Sequence, residues 1–209
     1  AEVSLPRKKN AWARLVRAKI EGQASVLENL RIRGSGELLA LADQVRSGDP
    51  GNVEAQAARL YWSRTLGRGV GRRPAAGQLI GANACLDYGY AVLRGHLMRA
   101  VLAAGLAPAL GVFHRGRGNA FALADDLIEP FRPAIDEVAL PLPATASPSD
   151  RDVKQLLVEA ASQRFDSDGH GIPAVAEALA QSFGRYVEGD VDRLQVLSWQ
   201  GPSRVGVGD

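Results

Sequence analysis

With 209 residues, 46% of them apolar, and a single cysteine, Cys85, the chain can bury one sizeable core but excludes a disulfide framework and a cysteine-built zinc site, which points to a reducing cytoplasmic setting. No apolar run approaches the ~20 residues that cross a bilayer, and the first residues lack the charged-then-apolar pattern of a signal peptide, so a soluble protein is expected. The net charge of +2 hides an asymmetry, since residues 1–117 carry 18 Lys and Arg against 8 Asp and Glu while residues 118–209 carry 7 against 15; this suits either a polyanion-binding surface or an arginine-rich composition drawn from a GC-rich genome.

Residues 1–10 contain Pro6 and little apolar periodicity, and are expected to form a tail or linker. From Trp12 the apolar residues Leu15, Val16, Ile20 and Leu27 recur at helical spacing, with Ala24 on the same face, and the helix is expected to end before Gly34. A shorter helix is predicted over residues 36–46, followed by the breaker cluster at residues 47–51. Asn52 is placed to cap a helix over residues 53–64. Residues 66–74 alternate glycine and arginine and read as a basic loop. Leu86, Tyr90, Leu93, Leu97 and Val101 form one stripe on a long helix expected over residues 79–104, with Gly105 ending it. After a loop carrying His114, a helix is predicted over residues 120–137, disturbed at Pro130 and Pro133. Residues 140–148 form a linker. Two amphipathic helices follow at 152–163 and 172–186, then a short terminal strand at 191–199. The expected fold is all-α, with the helical domain over residues 11–190 and a tail over 191–209.

Three places combine acid or imidazole groups with unusual surroundings. Glu54 stands near a helix start, where a lone carboxylate is commonly a solvated, dipole-stabilised side chain. His114 borders a Gly- and Arg-rich loop, and taken alone is equally an ordinary loop histidine. In the run Asp125-Asp126-Leu-Ile-Glu129, Asp126 and Glu129 share a helix face, as Asp125 and Glu129 can. Like charges so close call for a positive neighbour, which Arg132 or a divalent metal could supply. Two carboxylates and an imidazole suit manganese or magnesium with open positions. The sequence holds no GxxxxGK[ST] loop, GxSxG elbow or HExxH helix, and His96 and His170 show no partners at ligand spacing.

The segment from Glu54 through Trp62 resembles the first metal-ligand helix of the CRISPR adaptation integrase family (Cas one). Residues 83–94 resemble its central helix. His114 and the stretch from Asn119 to Pro133 resemble its second signature, and Lys19-Ile-Glu-Gly-Gln23 an early-helix motif. These segments keep the family's order and spacing over residues 12–138. The resemblance implies that Glu54, His114 and Glu129 are the metal ligands for Mn2+ or Mg2+, with Asp126 a second acidic position beside them. Glu129 as the last ligand is similar to the type II branch. It also implies a prokaryotic, metal-dependent endonuclease and integrase that inserts short DNA into a CRISPR array by 3′-hydroxyl attack. DNA, a second copy of the chain and the adaptation protein Cas two are the implied partners. Arg59, Arg64, Arg115 and Arg117 are candidate contacts to the DNA backbone, Arg59 being equally a structural ion-pair partner. Family members carry an amino-terminal β-rich domain ahead of the helical lobe, so the chain reads as that lobe alone. A metal-free DNA-binding module, a scaffold for adaptation proteins and a solo integrase of a mobile element are the competing readings.

Overall fold

The computed structural model describes residues 4–67, 71–73, 77, 79–114 and 118–202. Its first helix, α1 (Leu5–Asn29), starts before the expected Trp12, so the tail reading of residues 1–10 fails from Leu5 onward. Pro6 explains the early start: in the first turn its missing N–H is one that no helix carbonyl needs, and its fixed φ favours the helix. The buried face of α1 carries Trp12, Leu15, Val16, Ile20, Ala24 and Leu27, as the spacing predicts, but also Gly22 and Gln23.

Helix α2 (Ser35–Ala42) is shorter than expected, and α3 (Val53–Thr65) matches expectation closely. Its cap does not. Asn52 takes a left-handed conformation, φ 49°, and its side chain caps nothing. Asp49 does the work instead: Oδ1 accepts the Val53 N–H at 2.8 Å and Oδ2 the Glu54 N–H at 3.0 Å. A carboxylate bonds two free amide groups at a helix start more strongly than a neutral amide can.

The second long helix, α4 (Gly81–Ala103), buries Leu86, Tyr90, Leu93, Leu97 and Val101 on one side. Gly105 follows with φ 69°, in the left-handed region that ends helices. The single helix predicted over residues 120–137 is three pieces: α5 (Ala122–Leu127), a 3-10 turn (Glu129–Phe131) and α6 (Arg132–Ala139). Pro130 and Pro133 each withdraw an N–H from the ladder, so the helix tightens and restarts between them. This broken segment packs against both α1 and α4.

Helices α7 (Arg151–Ala160) and α8 (Ile172–Glu188) complete the lobe, α8 lying along α4. The described residues contain no strand; the only bridge is Arg164 to Gly171. The terminal strand expected over residues 191–199 is therefore absent. Side chains hold that segment in place of a ladder. Trp199 is fully buried, its ring 5.6 Å from that of Phe165, and its Nε1–H donates to Glu137 Oε2 at 2.6 Å. The all-α class holds. No described helix is long and apolar enough to cross a membrane.

Candidate metal and DNA site

Glu54 sits in the first turn of α3, Lys19 in the middle of α1 and Glu129 at the proline-marked 3-10 turn. These three elements meet at one point. Lys19 Nζ lies 2.7 Å from Glu54 Oε1 and 2.6 Å from Glu129 Oε2. Two carboxylates far apart in sequence thus face one ammonium. The Arg132 guanidinium holds the other Glu129 oxygen at 2.9 Å, so Arg132 supplies positive charge, as the sequence suggested. Burial pushes the Glu129 carboxyl upward, but Arg132 and Lys19 outweigh it and hold it near a pKa of about 2. Burial likewise works against the Lys19 ammonium, and Glu129 and Glu54 more than offset it, raising its pKa.

His114 is positioned by Asp126, which is fully buried at the carboxyl end of α5. Asp126 accepts the backbone N–H of Val112 at 2.5 Å, of Phe113 at 3.0 Å and of His114 at 3.2 Å, and bonds the imidazole Nδ1 at 2.6 Å. That last bond, with its charge, raises the His114 pKa, and burial only partly opposes it. With Nδ1 engaged, Nε2 is the ring nitrogen left to bind. Gly111 makes the arrangement possible. A Cβ there would stand 2.4 Å from the His114 carbonyl oxygen and 3.0 Å from Asp126 Oδ2.

The His114 loop lies against Trp12. The Phe113 and Trp12 rings stack with centroids 4.3 Å apart, and the Trp12 ring meets the His114 ring edge-on at 5.9 Å. Phe113 is half-exposed, and the buried Trp12 Nε1 has no hydrogen-bond partner. Asp125, the other acid of the pair, is engaged by Arg94 and Asn119: burial raises its carboxyl, but Arg94 at 2.5 Å and Asn119 at 2.7 Å bring it below its ordinary value. A cleft of about 500 Å³ opens beside Glu129, lined among others by Lys19, Gln23, Trp62, Arg72, Arg94 and Arg132.

The structure thus brings Glu54 and Glu129 together and holds His114, oriented by Asp126, near enough to Glu129 for the two charges to interact. The three donor groups do not close to within 4.8 Å of one another; among the described residues only Asp166, Asp168 and His170 do. That exposed set corrects the expectation that His170 has no partners at ligand spacing. Asp166 takes both the His170 backbone N–H at 2.8 Å and its Nδ1 at 2.7 Å. Of the candidate DNA contacts, Arg59 and Arg64 are exposed on α3, Arg64 within 3.3 Å of Glu37. Arg115 and Arg117 lie outside the described residues.

The donor set fits a divalent cation. Glu129 Oε2 is buried without a hydrogen bond of good geometry, with the Lys19 ammonium 2.6 Å away. Carboxylate oxygens and a free imidazole nitrogen are ligands for Mn2+ or Mg2+.

The protein-family model for "CRISPR associated protein Cas1" matches residues 5–157. The chain belongs to the Cas1 family. It is 45% identical over 135 residues to the CRISPR-associated endonuclease Cas1 of Neisseria meningitidis serogroup C, covering 64% of this chain and 43% of that one. It is 36% identical over 138 residues to a Cas1 of Thermus thermophilus, covering 63% and 41%. This Cas1 chain therefore spans about two-fifths of the length of those relatives. In fold it is similar to a casposase bound to integration product, with TM-score 0.72 at 18% identity over 93% of this chain and 64% of the other. It is also similar to the Thermotoga maritima CAS1 protein, with TM-score 0.67 at 17% identity over 87% and 66%.

Lys19 and Gln23 were legible only as part of a family motif, with no role attached. A physical signal was nevertheless there: Val16, Ile20, Gln23 and Leu27 step along one helix face, so Gln23 is a polar residue at a core position. Gly111 carried no such signal, because its need arises from a contact between residues brought together only by folding.

Proposed function

We propose that this Cas1 chain carries the catalytic site of a divalent-metal-dependent DNA endonuclease and integrase that inserts new DNA into a CRISPR array. One observation carries the reading: Glu54 and Glu129, on separate elements, present oxygens 2.7 and 2.6 Å from a single cationic centre. Glu54, His114 and Glu129 would hold Mn2+ or Mg2+. When bound, the ion supplies charge neutralisation at the scissile phosphate and lowers the pKa of the attacking hydroxyl.

The rest of the chemistry falls to side chains. Asp126 engages Nδ1 of the imidazole, which leaves Nε2 as the ring nitrogen that would take the ion. Arg132 keeps Glu129 ionised and in place. Arg72 and Arg94 put positive charge along the cleft, where a phosphodiester chain would run, although each also pairs with an acid, Asp87 and Asp125 respectively. Arg59 and Arg64, with Arg115 and Arg117, extend the phosphate contacts without reading sequence. No protein nucleophile is needed, because the 3′-hydroxyl of the incoming DNA attacks. A second copy of the chain and Cas2 are the proposed partners; a Cas6-RT-Cas1–Cas2 assembly is among the similar structures, with TM-score 0.72 at 18% identity.

The competing reading, a metal-free DNA-binding module, rests on the same ammonium: Lys19 can balance the two acids with no ion present. Branched DNA incubated with Mn2+ separates the two. Glu54→Gln and Glu129→Gln should each lower nicking or strand transfer by about a hundredfold or more, while DNA affinity in the absence of metal changes little. Equal rates in wild type and both variants would leave the metal-free module standing.

A further inference from the structure

Lys19 stands where the proposed ion would compete with it. Its side chain is 14% exposed, and its ammonium touches one oxygen of each acid. Without a positive group between them, two carboxylates drawn to one point would repel each other. One helical turn further along α1, Gln23 is only 2% exposed, and its Oε1 has no hydrogen-bond partner. Gln23 lines the same cleft as Lys19 and Glu129. Residues four apart on a helix lie side by side. A buried, unsatisfied acceptor is a standing cost unless another state of the protein uses it.

We propose that Lys19 is the resident counter-ion of this site: its ammonium holds Glu54 and Glu129 together until a divalent ion displaces it towards the Gln23 carbonyl. Lys19 is then a positioning residue, acting through the two acids and not on the reacting phosphate. It keeps the ligand oxygens gathered before the ion arrives, and lowers the affinity for that ion because the ammonium must first leave. Gln23 receives the displaced ammonium with a hydrogen bond that the ion-free protein lacks. Lys19 carries its ammonium on a flexible four-carbon stem, and Gln23 lies one helical turn along the same cleft. The inference rests on the metal reading above.

The test is a titration of the full chain with Mn2+ alone, read as free Mn2+ by electron paramagnetic resonance, with thermal melting alongside. Lys19→Met keeps the length of the stem and removes the charge. It should melt lower than wild type without metal, bind Mn2+ on the order of tenfold more tightly, and recover its melting temperature when Mn2+ is added. Affinity equal to or weaker than wild type in folded Lys19→Met protein overturns the proposal. Gln23→Leu removes the unpaired acceptor and decides the matter if Lys19→Met does not fold. It should melt no lower than wild type yet bind Mn2+ several-fold more weakly; unchanged affinity overturns the proposal. Glu129→Gln in the same titration tests the underlying reading separately. If it binds Mn2+ as wild type does, the metal site itself is wrong; if it loses binding while Lys19→Met matches wild type, only the counter-ion role is. Uptake at the exposed Asp166, Asp168 and His170 set is common to all four proteins and cancels.

Discussion

Asp136 shows how single residues in this lobe are tuned against their surroundings. It is fully buried on α6 and receives the hydroxyls of Tyr61, at 3.0 Å, and of Tyr90. Burial raises its pKa to about 6, and the two hydroxyls with Arg132 and Arg72 only partly counter this. A carboxyl whose folded pKa lies above its ordinary 3.8 holds a proton more tightly when folded. Its contribution to stability is therefore complete below that ordinary value and is lost as pH rises through about 6. Glu129, held near a pKa of about 2, works in the opposite sense and in a lower window: its contribution is present above 4.5 and lost as pH falls towards 2. Asp136→Asn cannot titrate. Denaturant unfolding between pH 4 and 7 should show wild type losing stability relative to Asp136→Asn by an amount on the order of 3 kcal/mol. A constant difference across that range would place the charge elsewhere.

At the scale of elements, close approach of helices decides what the sequence must contain. Gly89 on α4 faces Ile135 on α6, and a Cβ at Gly89 would lie 2.5 Å from Ile135 Cγ2. Gly89→Ala should cost about 1–3 kcal/mol by overpacking, and should cost less in an Ile135→Ala background, where the Cγ2 methyl it meets is gone. A double-mutant cycle by urea unfolding checks this, since additive effects would mean that the two helices do not press together there. The elements themselves were largely readable. The stripe from Leu86 to Val101 and the apolar steps of α1 gave two helices because helical spacing is a local property. The cap of α3 and the course of residues 191–199 were misread, and the disturbance expected at Pro130 and Pro133 goes as far as a 3-10 turn between two helices. In each case the deciding partner is a side chain: Asp49 outcompetes Asn52, two prolines divide a continuous pattern, and Trp199 is fixed by Glu137. The site follows the same division. Glu54, His114, Asp126 and Glu129 stood out through residue type and family resemblance, whereas the ammonium between two of them depends on α1, α3 and the 3-10 turn meeting.

Across the whole molecule, the carboxy-terminal segment ties distant parts of the chain together. Trp199 lies over Gly22 on α1, next to Gln23, and bonds Glu137 on α6, which also accepts from Asn29 at 3.2 Å. The last described residues thus clasp the first helix to the segment that carries Glu129. Trp199→Ala should cost about 3–5 kcal/mol, as loss of a buried aromatic does, measured by urea unfolding. Trp199→Phe should lose less, because the ring remains and only the bond to Glu137 goes. If removing the indole has no effect, the segment is a passenger and the clasp does not contribute to the lobe.

The chain has three tryptophans, and two of them stand near the proposed chemistry: Trp12 edge-on to His114 and Trp62 in the wall of the cleft. Indole emission responds to the polarity and motion of its immediate neighbours, and a paramagnetic ion close by quenches it. The protein therefore carries its own optical gauge of what enters the site, and occupancy by manganese or by a nucleic-acid strand can be followed in solution with no label attached.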